Sequence, residues 1–145
     1  MFNLNAEPAL VLSLPEHPTE FDDGLLTASE IAQLSLDADW VILSACNTAA
    51  DNGKGNAGLS GLAHAFFHAG ARALLVSQWS LNDQSAREIM TNMFGRLQAD
   101  ETLTRSQAFR QAMLSQIQRA KGDRLWEAYP GHWAVFEMIG VDSRP

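Results

Sequence analysis

The stretch Trp40-Val41-Ile42-Leu43-Ser44-Ala45-Cys46-Asn47-Thr48 sets the architecture of this chain. A short continuous apolar run breaks off into small and polar residues, and the single cysteine stands at the break. Apolar runs of four to eight residues bounded by turn signals read as strands buried on both faces, the kind that build parallel sheets. In open parallel sheets, ligands and reacting groups lie just beyond the carboxyl ends of the strands. Cys46 is therefore expected, accessible, where chemistry is done. Position alone does not make it a nucleophile, because free cysteine is among the most buried residue types and commonly serves as inert filling.

Elements on either side of this strand repeat the pattern. Pro8 to Leu14 predicts a first strand near a sheet edge, since Pro8 can open a strand but donates nothing to a ladder. A polar, turn-rich passage follows from Pro15 to Gly24, with His17 as a solvated loop residue. Thr27-Ala28-Ser29-Glu30 fits a capping box, so a short helix should run to about Leu34. Beyond Cys46 comes a loop rich in Asn and Gly. A helix with Leu59, Leu62, Ala63, Phe66 and Phe67 on one face is next, stopped by Gly70. Arg72 to Ser77 predicts a second buried strand, and strand, helix, strand of this length forms a parallel crossover. After the corner Gln78 to Asp83 come two amphipathic helices. The first carries Ala86, Ile89, Met90, Met93, Phe94 and Leu97 on one face, and Asn82 or Asp83 caps it. The second runs from Thr104 to Ala120 with Ala108, Phe109, Ala112, Met113 and Ile117 inward. Trp133 to Ile139 predicts a last strand. This alternation points to an α/β fold in which helices flank a largely parallel sheet.

The 145 residues suit one domain, spanning 1–145, with a real core. One cysteine allows no internal disulfide, and Met1-Phe2-Asn3-Leu4 opens no basic, apolar signal segment, so a reducing cytoplasm is the expected compartment. A formal net charge of -7 argues against a nucleic-acid surface, which needs clustered Lys and Arg. No apolar stretch reaches membrane-spanning length.

Two motifs look like sites and fit poorly. Gly53-Lys54-Gly55-Asn56-Ala57-Gly58 matches G-x-G-x-x-G, yet its first glycine lies well past the strand end and the next strand ends in Ser77-Gln78 instead of an acid. Ser or Thr is also missing after Lys54, so a phosphate-binding P-loop fails as well, and a plain loop is the better reading. His64 and His68 have metal-ligand spacing on a helix, but they fall at the flank and the back of the apolar face, with no third ligand at helical spacing. A surface pair is expected. His132, the remaining histidine, has no partner visible in sequence. A cysteine nucleophile usually needs a histidine base, and nothing in the pattern selects one.

A family resemblance gives these residues a common meaning. Asp22-Asp23-Gly24-Leu25-Leu26-Thr27-Ala28-Ser29-Glu30-Ile31, followed by Trp40 to Thr48, resembles the CHAT domain, a caspase-like module often joined to TPR repeats. The likeness continues through Gly58-Leu59-Ser60-Gly61-Leu62-Ala63-His64-Ala65-Phe66, Gly70-Ala71-Arg72-Ala73 and Ser77-Gln78-Trp79-Ser80-Leu81-Asn82-Asp83. It ends at Trp133-Ala134-Val135-Phe136 and keeps order and spacing over nearly the whole chain. It implies a caspase-like, partial fold and a cysteine endopeptidase whose nucleophile is Cys46. A histidine on a preceding strand end would protonate the leaving amine. The Cys46 amide and a glycine beside that histidine would hold the oxyanion. Asn47, Ser77, Trp79 and Asp83 would contact substrate, Trp79 as a wall of the groove, and no metal or organic cofactor is implied.

One departure matters. The family's His-Gly pair would fall before Met1, and His17, His64, His68 and His132 match no catalytic position. The chain is thus expected to be the carboxyl-terminal portion of a CHAT domain, inactive by itself. A fragment or late start of a longer peptidase is the preferred account. The others are a separate subunit joining a partner that carries the histidine, and a non-catalytic protein-binding module. The partners implied are a protein or peptide substrate, the amino-terminal half of the domain and TPR repeats, with neither nucleic acid nor membrane. An exposed sheet edge would favour self-association.

Overall fold

The computed structural model describes residues 7–19, 22–43, 57–79 and 83–141. Among these residues three strands form the main sheet, β3 (Val41–Leu43), β4 (Ala73–Ser77) and β5 (Phe136–Gly140), in the order β3-β4-β5. Ahead of it, β1 (Ala9–Val11) and β2 (Leu25–Thr27) make a separate two-stranded antiparallel sheet. Helices α1 (Ala28–Gln33) and α2 (Ala57–His68) precede β4, and α3 (Asp83–Ala99) and α4 (Arg105–Arg119) follow it. The class is mixed α/β.

Every residue of β4 is buried, so its side chains, alternating between faces, feed two cores. Leu74 and Val76 join Ile31, Leu43, Leu62, Ala63 and Phe66 under α1 and α2. Leu75 turns the other way, to Ile89, Met93, Ala108, Phe109, Ala112 and Phe136 under α3 and α4. Leu62, Ala63 and Phe66 of α2, Ile89 and Met93 of α3, and Ala108, Phe109 and Ala112 of α4 are buried as the 3.6-residue spacing predicts. Leu59 lies outside the described side chains, and Ser85 and Gln116 are buried although the apolar pattern did not include them. Phe94 is exposed and packs its ring on Trp40 at the rim, 5.4 Å between centroids.

Local signals place the helix ends. Thr27 Oγ1 accepts from the Glu30 amide at 3.3 Å, and Glu30 Oε2 accepts from the Thr27 amide at 2.8 Å, the reciprocal box expected there. Thr104 and Gln107 repeat the arrangement at the start of α4. Helix α2 closes in a Schellman turn, with Ala71 N–H on Phe66 C=O at 3.0 Å and Gly70 N–H on Phe67 C=O at 3.1 Å. Gly70 adopts φ +105°, which other residues rarely adopt.

The expectation of a largely parallel sheet is corrected. Among the strands of the described residues only β3 and β4 run parallel, Val41 to Leu43 opposite Leu74 to Val76, whereas β4–β5 and β1–β2 are antiparallel. The reason lies in the number of helices per crossover. One helix between β3 and β4 returns the chain to the amino end of the sheet. Two antiparallel helices, α3 and α4, carry it there and back, so β5 is entered from the carboxyl end.

The first and last strands also differ. The strand expected over Pro8 to Leu14 is limited to Ala9–Val11 and pairs with Leu25–Thr27 outside the main sheet, with Leu12 N–H on Gly24 C=O extending the contact at 2.8 Å. Trp133 does not open the last strand. It ends a turn of 3-10 helix, Pro130–His132, that follows a longer one at Gly122–Ala128, and its indole N–H reaches Ala128 C=O at 3.0 Å. Among the described residues no helix is long and apolar enough to cross a membrane.

Candidate active site

Parallel pairing brings two strand ends together. Leu43, the last residue of β3, lies opposite Val76, and Ser77 completes β4. In the sequence Ser44-Ala45-Cys46-Asn47 continues from β3 and Gln78-Trp79 from β4. Cys46 and Asn47 lie outside the described residues, as does Gly53 to Asn56 of the glycine-rich loop.

The β4 side is described in detail. Ser77 is 3% exposed and pairs with Phe136 across the antiparallel ladder. Gln78 prolongs that ladder, its amide N–H on Val135 C=O at 2.8 Å and its side-chain amide donating to the Glu137 carboxylate. Trp79 is 41% exposed, and its indole N–H donates to Gly131 C=O at 3.3 Å. Asp83 is exposed and is the first residue of α3, where its negative charge complements the helix N-terminus. Ser77 and Trp79 are thus brought against residues 131–136, while Asp83 belongs to the next helix.

Sequence reasoning missed the wall that Trp79 leans on. Residues 122–132 show no helical or alternating period, yet they hold Trp126, Tyr129 and His132 in a short span, and this aromatic density was the available signal. His132 packs edge to face on Trp126, ring centroids 4.7 Å apart at 72°. Its Nδ1 is buried with no hydrogen-bond partner among the described residues. Glu127 is 1% exposed and ion-paired to Arg124, whose guanidinium also approaches Glu88 at 3.7 Å. The hydrogen bond to Glu127 comes first among the causes that raise the Arg124 pKa above its ordinary value. The Arg124–Glu88 contact ties the segment to α3.

The other histidines stand in the loop after β1 and on α2. His17 is exposed in the loop after β1. His64 and His68 are exposed on α2, and His68 Nδ1 donates to Ala32 C=O at 3.1 Å. No group of three metal-binding side chains occurs among the described residues. A cleft of about 540 Å³, lined by Asp39, Trp40, Phe94, Leu97, Gln98 and Arg105, opens near the start of β3, away from the carboxyl ends. Arg105 is buried there, its guanidinium 5.4 Å from the Trp40 ring centre and 3.6 Å from Asp39.

Comparison with known proteins adds the family. The CHAT domain family model matches residues 2–141. The chain is also similar to tetratricopeptide repeat protein 28 of Mus musculus, 32% identical over 121 residues, a match that takes in 83% of this chain and 5% of that protein. No solved structure matches significantly.

Proposed function

The chain belongs to the CHAT domain family, and on that premise we propose that it carries the nucleophile of a caspase-like cysteine endopeptidase, Cys46. The observation that carries this reading is the register of β3 and β4. Their carboxyl ends are level, Leu43 opposite Val76, and the cysteine segment continues directly from one of them.

In the proposed reaction the Cys46 thiolate attacks the scissile carbonyl carbon, forming a C–S bond while the π electrons move to oxygen. Backbone N–H groups hold that oxyanion, the Cys46 amide among them. Collapse breaks the C–N bond, and an imidazolium gives its proton to the departing amine. Water, deprotonated by the same imidazole, then cleaves the thioester and regenerates the thiolate. The family's His-Gly element supplies the imidazole on this reading. That His17, His64 and His68 are exposed, one in the loop after β1 and two on α2, supports that assignment. Ser77, Trp79, Asp83 and Asn47 are proposed to contact the peptide, and the reaction calls for no cofactor. The repeat-protein name of the mouse relative supports association with TPR repeats, and the cytoplasm is the proposed compartment.

The test is peptide cleavage by the protein expressed in its full reading frame. Cleavage should disappear with Cys46→Ala and survive His132→Ala. Loss with His132→Ala, while the fold is intact, would move the base to His132. Cleavage that persists without Cys46 would refute the nucleophile. Turnover absent from the unmutated protein, with specific peptide binding retained, would favour the non-catalytic binding module.

A further inference from the structure

We propose that Trp79, Trp126 and Tyr129 form a subsite for one large apolar or aromatic side chain of an extended peptide. This rests on the peptidase reading and names a substrate class for its site. The three residues are 41%, 44% and 69% exposed, high for side chains of this size. With roughly 150–250 Å² available per aromatic side chain, they leave about 300 Å² of apolar surface open, the scale at which a patch on a soluble protein is often functional.

The patch is built through one backbone stretch. Trp79 reaches it by the hydrogen bond to Gly131 C=O at 3.3 Å. Tyr129 lies over the same glycine, since a Cβ at Gly131 would come within 3.1 Å of Tyr129 Cδ1 and Cε1. His132 follows and backs the Trp126 ring. Glycine at 131 is what allows the tyrosine ring to close on the backbone.

Chemistry selects the ligand class. The Trp79 indole N–H is already given to a protein carbonyl, so that residue offers ring surface instead of a donor. Recognition there is by apolar contact, which discriminates by size and hydrophobicity. Continuity selects the occupant. Gln78 and Trp79 extend from the strand end beside β3 and are held against Val135 and Gly131, so one extended chain can pass from the strand ends onto the patch.

The experiment is affinity selection of a random peptide library on the full-length protein carrying Cys46→Ala, so that bound peptides are not cut. Selected peptides should show Phe, Tyr, Trp, Leu or Met at one position, about tenfold over Ala, Asp or Lys, the ratio expected for burying one such side chain. The preference should vanish in Trp126→Ala/Tyr129→Ala and weaken in Tyr129→Ser, with the far-UV spectrum and melting temperature unchanged. Tyr129→Ser keeps the test readable if the double variant misfolds. The proposal is overturned if no apolar position is selected, or if the preference persists in the double variant. Self-association that these substitutions abolish would give the surface to a second copy and overturn it as well. Apolar selection without turnover in the unmutated protein would sink the peptidase reading and keep the subsite. Cleavage through Cys46 without apolar preference would do the reverse.

Discussion

Replacing Gly70 by Ala should be among the most damaging single-methyl additions to this chain. Gly70 sits at φ +105°, and a Cβ there would lie 2.0 Å from Leu36 C=O, where real Cβ atoms keep at least 3.0 Å. The end of α2 must therefore retreat by about 1 Å, the difference of those two distances. The contact it retreats from is Leu36 N–H on Ala69 C=O, at 2.6 Å. A residue held in a sparsely populated backbone region costs about 1–3 kcal/mol, and a lost hydrogen bond about 1 kcal/mol more. The sum is about 2–4 kcal/mol, a large share of the roughly 5–15 kcal/mol that holds a domain together. For a chain of this size the melting temperature should fall on the order of 10 °C. Gly70→Asn should fall as far, because the overlap rests on Cβ, which both residues carry. Gly95→Ala is the control. Gly95 is exposed inside α3 and a Cβ there meets nothing within 4 Å, so that variant should gain about 0.5–1 kcal/mol from helix propensity. Thermal and urea melts followed by circular dichroism decide the matter. Gly70→Ala melting within 2 °C of the unmutated protein, or losing less than about 1 kcal/mol, would refute the close approach.

Arg124→Ala should destabilise the chain by leaving the buried Glu127 carboxylate unpaired, and adding Glu127→Gln should recover part of the loss. A double-mutant cycle in urea with no coupling between the two would contradict the pairing. His132→Phe keeps a ring on Trp126 and removes the unpartnered Nδ1, so stability should hold or rise by about 1 kcal/mol, and a clear drop would show that the nitrogen has a partner. The Glu7 carboxyl is held below its ordinary 4.5, chiefly by the Ser29 hydroxyl. Its contribution is therefore complete above pH 4.5 and fades as pH falls through the lower folded value, so the melting temperatures of Glu7→Gln and the unmutated chain should converge on acidification. A constant gap from pH 7 to pH 3 would count against that. The single thiol, Cys46, should react with a disulfide reagent in native protein, and reaction only after unfolding would place it in the core.

Local grammar was enough for much of this protein. The capping box at Thr27 and Glu30 and the apolar faces of α2, α3 and α4 act over three or four residues, as does the glycine stop after α2. Apart from the exposed Phe94 and the buried Ser85 and Gln116, their sequence reading matches the described side chains because the energies that decide them are local. The parallel β3–β4 pair followed from a crossover of one helix. Even the antiparallel β5 was legible in principle, since two helices precede it and their parity reverses its direction. The family, too, was carried by order and spacing along the chain, Trp40 to Cys46 foremost.

Tertiary structure alone decided what depends on partners far apart in sequence. The strand pairing of Ala9–Val11 with Leu25–Thr27 instead of the main sheet depends on a partner beyond the loop that separates them, and no period in Pro8 to Leu14 encodes it. Residues 122–132 have no amphipathic repeat, because their fold is held by single long-range contacts, Trp79 on Gly131 and Arg124 reaching Glu88. The aromatic patch therefore came into view only when β4 and the approach to β5 were side by side. Sequence placed Ser77 and Trp79 at a strand end, and packing decided what stands beside them.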